Sequence, residues 1–383
     1  MVFHTGVIII NSNIYFKEFK KIIENNREFY YNDYKDIKQK VKQSTAVYHG
    51  QPIDFLYQPM FFDKVDINNI QKTCYQLINI LNKVIKQFLI NPVFRNYFDF
   101  PEIMENLILL DPGYEFNFPI ARFDIFYNAN QIKFCELNTD GASAMNEARV
   151  LKNIFKNSGI LNKMNEKYNI YSYELFYSWI DSIIKDYNQY RENVNPDSNK
   201  VPNIAIVDFE GEGTKYEFKE FKKRFIEKGY DTIICQPESL YYKNNQLYHQ
   251  NFAIDLIYRR ATSARMVEEA NNIQDLIQAY QDQNVCMVGG FVSQIIHNKI
   301  IFSILSDKNK VSFLNSKEQE FIQEHIPETF FSKNINQNKI TEIINNKNQY
   351  ILKPCDRYAC KGVYAGKDCQ QHKWEQLIKE IKE

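Results

Sequence analysis

The chain has 383 residues, too many for one small core, and its 44 % apolar content, with 29 Phe and 26 Tyr, excludes a disordered chain. Lys+Arg and Asp+Glu both number 47, so the basic excess usual in a nucleic-acid binder is absent. Seven cysteines without a CxxC pair read as reduced thiols. No apolar run approaches the roughly 18 residues a membrane span needs. The expectation is a cytoplasmic protein with neither nucleic acid nor membrane as partner.

In chain order, Val7–Ile10 reads as a short strand, and residues 14–45 carry Phe16, Phe19, Ile22 and Ile23 at helical spacing. Residues 67–90 continue with a broad stripe of Ile70, Cys74, Leu77, Ile78, Leu81, Val84, Ile85 and Leu89. From Ala121 the pattern becomes a β-hairpin, with a turn-rich stretch at 128–131. Residues 142–157 read as a helix. The polar stretch 188–203, with Pro196 and Pro202, is the expected linker. Beyond it come a strand at Ile204–Val207, a glycine-bearing loop at 210–214 and a helix ending near Gly229. Thr232–Cys235 and Asp255–Tyr258 read as further strands, which predicts a small parallel α/β unit. Gln278–Tyr280, Val285–Val288 and Ile300–Leu305 continue the alternation. A last unit, from about Thr329, carries a strand at Tyr350–Leu352 ahead of Lys353. The chain thus divides into 1–187, 204–328 and 329–383.

The sharpest chemistry lies in the hairpin. Alternation puts Arg122 with Asp124, and Glu136 with Asn138, each pair on one face. A three-residue loop at Ala129–Gln131 would set Asp124 opposite Glu136 and Arg122 opposite Asn138. Phe123, Ile125, Tyr127, Cys135 and Leu137 would then take the buried face. Facing carboxylates repel unless a cation neutralises them. Mg²⁺ suits Asp124, Glu136 and the Asn138 amide oxygen, with Arg122 complementing phosphate beside it. The plainer reading is an exposed hairpin with Arg122 ion-paired to Asp124 or Glu136. Ser143 precedes a helix, where it is either a cap or part of an anion site for a substrate carboxylate.

These strings resemble the circularly permuted ATP-grasp ligases, the glutathionylspermidine synthetase-like family. The matching residues are Arg122-Phe123-Asp124, Glu136-Leu137-Asn138-Thr139-Asp140, Ile351-Leu352-Lys353-Pro354 and Lys361-Gly362-Val363. Asp255–Arg260 and Asn298-Lys299 look like the family's central segment. The resemblance implies an α/β, ATP-grasp-like fold in permuted order, with a central pre-ATP-grasp-like unit and a partial C-terminal lid. It implies an ATP- and Mg²⁺-dependent ligase that joins a small-molecule or peptide carboxylate to an amine through an acyl phosphate. Asp124, Glu136 and Asn138 would hold Mg²⁺, and Arg122 would act in catalysis. Lys353, Lys361 and Gly362 would bind ATP, and Glu210 and Glu212 would receive the amine.

Three rivals remain. One is a non-catalytic or degenerate nucleotide-binding homologue, which would bind ATP without turnover. A zinc site from Cys355, Cys360, Cys369 and His372 has unfamiliar spacing. A dinucleotide fold at Ile204–Gly213 lacks the full glycine pattern, and its acidic residues would repel pyrophosphate.

Overall fold

The computed structural model describes residues 14–48, 50–128, 131–212, 214–357 and 362–381. Val7–Ile10, Lys361 and Cys360 therefore lie outside the described residues.

A parallel four-stranded sheet forms the centre, in the spatial order Cys286–Val288, Leu256–Arg259, Ile204–Val207, Thr232–Cys235. Its strands are nearly continuous apolar runs because both faces are covered. Ile204, Ile206, Leu256, Tyr258, Cys286 and Val288 pack among buried residues of helices Phe176–Asn193 and Lys215–Glu227. Ala205, Val207, Ile257 and Met287 join the larger core on the opposite face. Chain order reverses between Ile204–Val207 and Leu256–Arg259, and in open α/β sheets ligands gather at the carboxyl ends beside such a reversal.

The large core also contains the N-terminal helix Lys64–Ile90 and the inner face of a hairpin, Arg122–Asn128 paired with Gln131–Asn138. Leu77, Ile80, Leu81, Val84, Ile85 and Phe88 supply the helix's buried stripe, and Asp63 with Asp66 closes a capping box at its start. Ile132, Phe134 and Leu137 of the hairpin are buried in the same cluster. The hairpin is thus fixed as a rigid wall of the main body. The C-terminal unit has its own small core, formed by Ile343, Tyr350, Leu352, Trp374, Leu377 and Ile378.

Several elements differ from the sequence expectation. Residues 14–45 form two helices, Ile14–Asn25 and Arg27–Lys42, because the Asn26 side chain caps the second. The expected linker 188–203 begins inside the helix Phe176–Asn193, where Tyr187 and Tyr190 are buried one turn apart. Gln274–Gln281 and Ile300–Ser306 are helices, not strands. The second is buried all round, so its short apolar run carried no period to distinguish the two. A three-stranded antiparallel meander, Leu240–Lys243, Gln246–His249 and Phe252–Ile254, was not foreseen. Among the described residues no helix is long and apolar enough to cross a membrane, and the six described cysteines are free.

Candidate functional site

The hairpin pairs Arg122 with Asn138 and Asp124 with Glu136, but by a route other than the expected one. Asn128 pairs with Gln131, so the turn has two residues, and a bulge between Asp124 and Ile125 absorbs Cys135. The alternative three-residue turn would place Lys133 and Cys135 on the core side. The bulge instead places Ile132 and Phe134 there, and burying two large apolar side chains favours this register by a few kcal/mol, at roughly 1.5–3 kcal/mol each. Cys135 accordingly leaves the buried face assigned to it. Its thiol donates to the Asp124 carbonyl at 3.2 Å, and burial pushes its pKa up to about 11.

Each carboxylate of the facing pair already has a cation. Arg122 Nε donates to Asp124 Oδ1 at 2.9 Å, and its Nη1 donates to the Ser143 carbonyl at 3.0 Å. Lys299 Nζ lies 2.8 Å from Glu136 Oε1, and Lys299 is only 4 % exposed. Burial of Glu136 opposes ionisation, but Lys299, Lys353 and His297 outweigh it and hold the carboxyl below its usual range. Asn138 Nδ2 is buried without a hydrogen-bond partner. The ion pair of the plainer reading is therefore present, and it uses the same residues as the metal reading.

Residues 139–144 strap the hairpin to the carboxyl end of the central sheet. Arg259 Nη1 meets Asp140 Oδ1 at 2.8 Å, and Arg260 Nη2 meets Glu217 Oε1 at 3.1 Å, both fully buried. Thr139 Oγ1 donates to the Ser293 carbonyl at 2.8 Å, and Ser263 N donates to Asp140 Oδ2 at 2.7 Å. Arg260 also donates to the Ala142 carbonyl. Gly141, at φ +61°, lies so close to the Arg260 carbonyl that a Cβ would come within 3.0 Å of it.

The helix N-terminus after Ser143 does not offer free amides. Ala144 is its N-cap, at φ +85°, and Glu217 Oε2 accepts from Met145 N at 2.8 Å and Asn146 N at 3.2 Å. The anion expected there from substrate is already supplied by the protein. Ser143 reaches the hairpin site through its carbonyl instead.

The open face of the hairpin runs toward its tip through Phe126, Lys133, Asn128 and Gln131, which line a cleft of about 1350 Å³. The opposite wall comes from Ile322, Gln323 and Ile326 of the main body and from Asn348, Ile351, Lys353 and Lys367 of the C-terminal unit. Lys353 also borders a smaller cavity of about 350 Å³ with Gly362 and Arg357. Its Nζ donates to the Cys135 carbonyl at 3.3 Å. Lysines 133, 308, 353 and 367 all line the cleft.

The structure thus gathers Arg122, Asp124, Glu136, Asn138, the Ser143 carbonyl and Lys353. Glu210 is exposed and Glu212 half-buried, on a separate loop at the end of Ile204–Val207, and neither lines the two cavities. Gly362 sits at φ +73° against Pro354, so its backbone alone calls for glycine. Among the described residues no group of three His, Cys, Asp or Glu could hold a metal, and Cys360 of the zinc alternative lies outside them.

Residues that sequence reasoning left without a role are equally prominent. Lys299, Asp140, Arg259, Arg260 and Glu217 carry the buried charge network. Asp208 lies at the carboxyl end of Ile204–Val207, and burial pushes its carboxyl up to about 6 against the opposing pull of Arg260. The signals were an Arg-Arg pair ending a strand and a lone Asn-Lys between apolar runs.

No protein-family model and no curated protein matches the chain. Among solved structures, it is similar to the apo form of a glutathione synthetase-like effector, GSS30, from Globodera pallida. The TM-score is 0.53 at 12 % identity, over 92 % of this chain and 77 % of that one. The likeness is one of fold: the chain is a mixed α/β protein with a glutathione synthetase-like architecture.

Proposed function

We propose that the chain is an ATP- and Mg²⁺-dependent carboxylate–amine ligase of the circularly permuted ATP-grasp type, related to glutathionylspermidine synthetase. One observation carries this reading: the hairpin sets Asp124 opposite Glu136 on a face that continues into a cleft bordered by Lys353 of the C-terminal unit. The hairpin precedes the lysine unit in the chain, as a permuted order requires.

The donor set fits a hard divalent ion. Two carboxylates and an amide suit Mg²⁺, which binds through one or two carboxylates and takes its other oxygens from phosphate and water. Bound Mg²⁺·ATP would supply the transferable phosphoryl group and neutralise its charge. Asp124, Glu136 and Asn138 would hold the ion, and Lys353, with Gly362 and Lys361 nearby in sequence, would position the phosphates. Arg122, anchored by Asp124 and the Ser143 carbonyl, would orient the reacting carboxylate beside the site. Glu210 and Glu212 project from a loop at the chain reversal of the sheet, where an incoming amine would find negative charge.

The test is ADP release with Mg²⁺·ATP, screened across peptide and small carboxylates paired with polyamines. A nucleotide-dependent ligated product supports the reading; failure to bind ATP under any condition overturns it. The second reading, a nucleotide-binding homologue without turnover, is favoured by the ion pairs Arg122–Asp124 and Lys299–Glu136, which leave neither carboxylate without a cation. It predicts ATP binding with no ADP release for any substrate pair.

A further inference from the structure

Lys299 connects two parts of the molecule that the proposed reaction needs to coordinate. Its Nζ is 2.8 Å from Glu136 Oε1 on the hairpin and donates to the Arg357 carbonyl at 2.9 Å. Its backbone N–H donates to the Cys355 carbonyl at 2.8 Å. Gln294 Nε2 reaches Asp356 Oδ2 from the preceding helix. The segment 355–357, which follows Lys353, is therefore pinned to the main body, and one buried ammonium group serves both the pin and the carboxylate.

We propose that Lys299 is a built-in cation that occupies Glu136 until a divalent ion takes its place, so that metal arrival frees the segment 353–357. This deepens the ligase reading and rests on its assignment of Glu136 as a metal ligand.

The physical argument is one of competition. A carboxylate oxygen 2.8 Å from an ammonium group cannot also accept a divalent ion at about 2.1 Å without the two cations repelling each other at close range. Lys299 is 4 % exposed, so water screens that repulsion little. The ammonium must then turn from Glu136, and a side chain that moves cannot keep its bond to the Arg357 carbonyl unchanged. The backbone bond from Lys299 to Cys355 stays as the pivot. Anionic phosphate is the natural new partner for the released ammonium, which would make the C-terminal segment mobile at the moment nucleotide must enter.

The test uses Mn²⁺ alone, without nucleotide, on the full chain. Mn²⁺ affinity is measured for the wild type and for Lys299→Met, together with hydrogen exchange at the amides of the segment 353–357, all but Pro354. Lys299→Met is expected to bind Mn²⁺ about tenfold tighter or more, since it removes a charge-assisted competitor. In the wild type, Mn²⁺ is expected to speed exchange at 353–357. In Lys299→Met, exchange there is fast with or without the ion. Glu136→Gln gives an independent check if Lys299→Met does not fold: with the shared carboxylate gone, Mn²⁺ is expected to leave exchange at 353–357 unchanged, and Mn²⁺ that speeds exchange there as in the wild type overturns the proposal. Equal Mn²⁺ affinity in wild type and Lys299→Met overturns the proposal but leaves the metal site standing. Metal binding with unchanged exchange at 353–357 also overturns it. Absence of Mn²⁺ binding in both, even with ATP added, overturns the metal assignment and this proposal together.

Discussion

At the scale of single residues, the hairpin carboxylates and Lys353 bear the proposed chemistry. Asp124→Asn or Glu136→Gln is expected to abolish Mg²⁺·ATP-dependent ADP release while leaving the circular dichroism spectrum unchanged; full activity in either variant removes the metal assignment. Lys353→Ala is expected to weaken ATP binding about tenfold or more, because a charge-assisted phosphate contact contributes roughly 1.5–3 kcal/mol. Isothermal titration with ATP decides it. Asp186 offers a pH-dependent case away from the site. It is 1 % exposed, its Oδ2 has no partner, and burial pushes its carboxyl up to about 7. A folded pKa above the unfolded value means the native state is favoured while the group is protonated. Its contribution is thus present below about pH 4 and is lost as pH rises through 7. Asp186→Asn is expected to be more stable than wild type at pH 8, on the order of 2 kcal/mol, and to lose that advantage only by about pH 4. Urea denaturation at the two pH values shows whether the gap closes.

At the scale of elements, the strap at 139–144 depends on buried charge. Glu217 pairs with Arg260 and caps the helix Met145–Phe155, so it serves two elements at once. Glu217→Ala leaves the Arg260 guanidinium buried and two amides unpaired, and is expected to cost about 3–5 kcal/mol. Pairing it with Arg260→Met should recover part of that loss, which a double-mutant cycle in urea would register. The hairpin itself was readable: alternation gave the face shared by Arg122 and Asp124, and the facing carboxylates followed. The bulge was not, because turn length and bulge trade off residue for residue, and only the burial of Ile132 and Phe134 against the long N-terminal helix separates the two registers. For the same reason Ile300–Ser306 resisted assignment, since an element buried on every side shows no period.

At the scale of the whole molecule, the cleft lies between a rigid main body and a C-terminal unit with its own core. A nucleotide held by both would favour the folded state by mass action. Saturating Mg²⁺·ATP is expected to raise the melting temperature, by about 2.7 kcal/mol of stability at one hundred times Kd, and Lys353→Ala should abolish most of that rise in a thermal-shift assay. The parallel arrangement of the central unit was visible in its strand–helix–strand order. The meander at 240–254 was not, since its strands are only three or four residues long and its two-residue turns, Asn244-Asn245 and Gln250-Asn251, carry no glycine to mark them. The buried network joining Asp140, Arg259 and Arg260 was invisible for a different reason: Asp140 lies more than a hundred residues from the two arginines, and a charged residue at the end of a strand ordinarily reads as solvated.

The same trade-off between turn and bulge separates the two ends of the hairpin. Both registers leave Asp124 across from Glu136, so the reactive end tolerates either one. Asn128 and Gln131, at the tip, form part of the hairpin's own wall of the cleft. Sequence drift there can retune what the distant end of a bound molecule encounters while the acidic pair keeps its phase, making the tip a natural place to graft new selectivity.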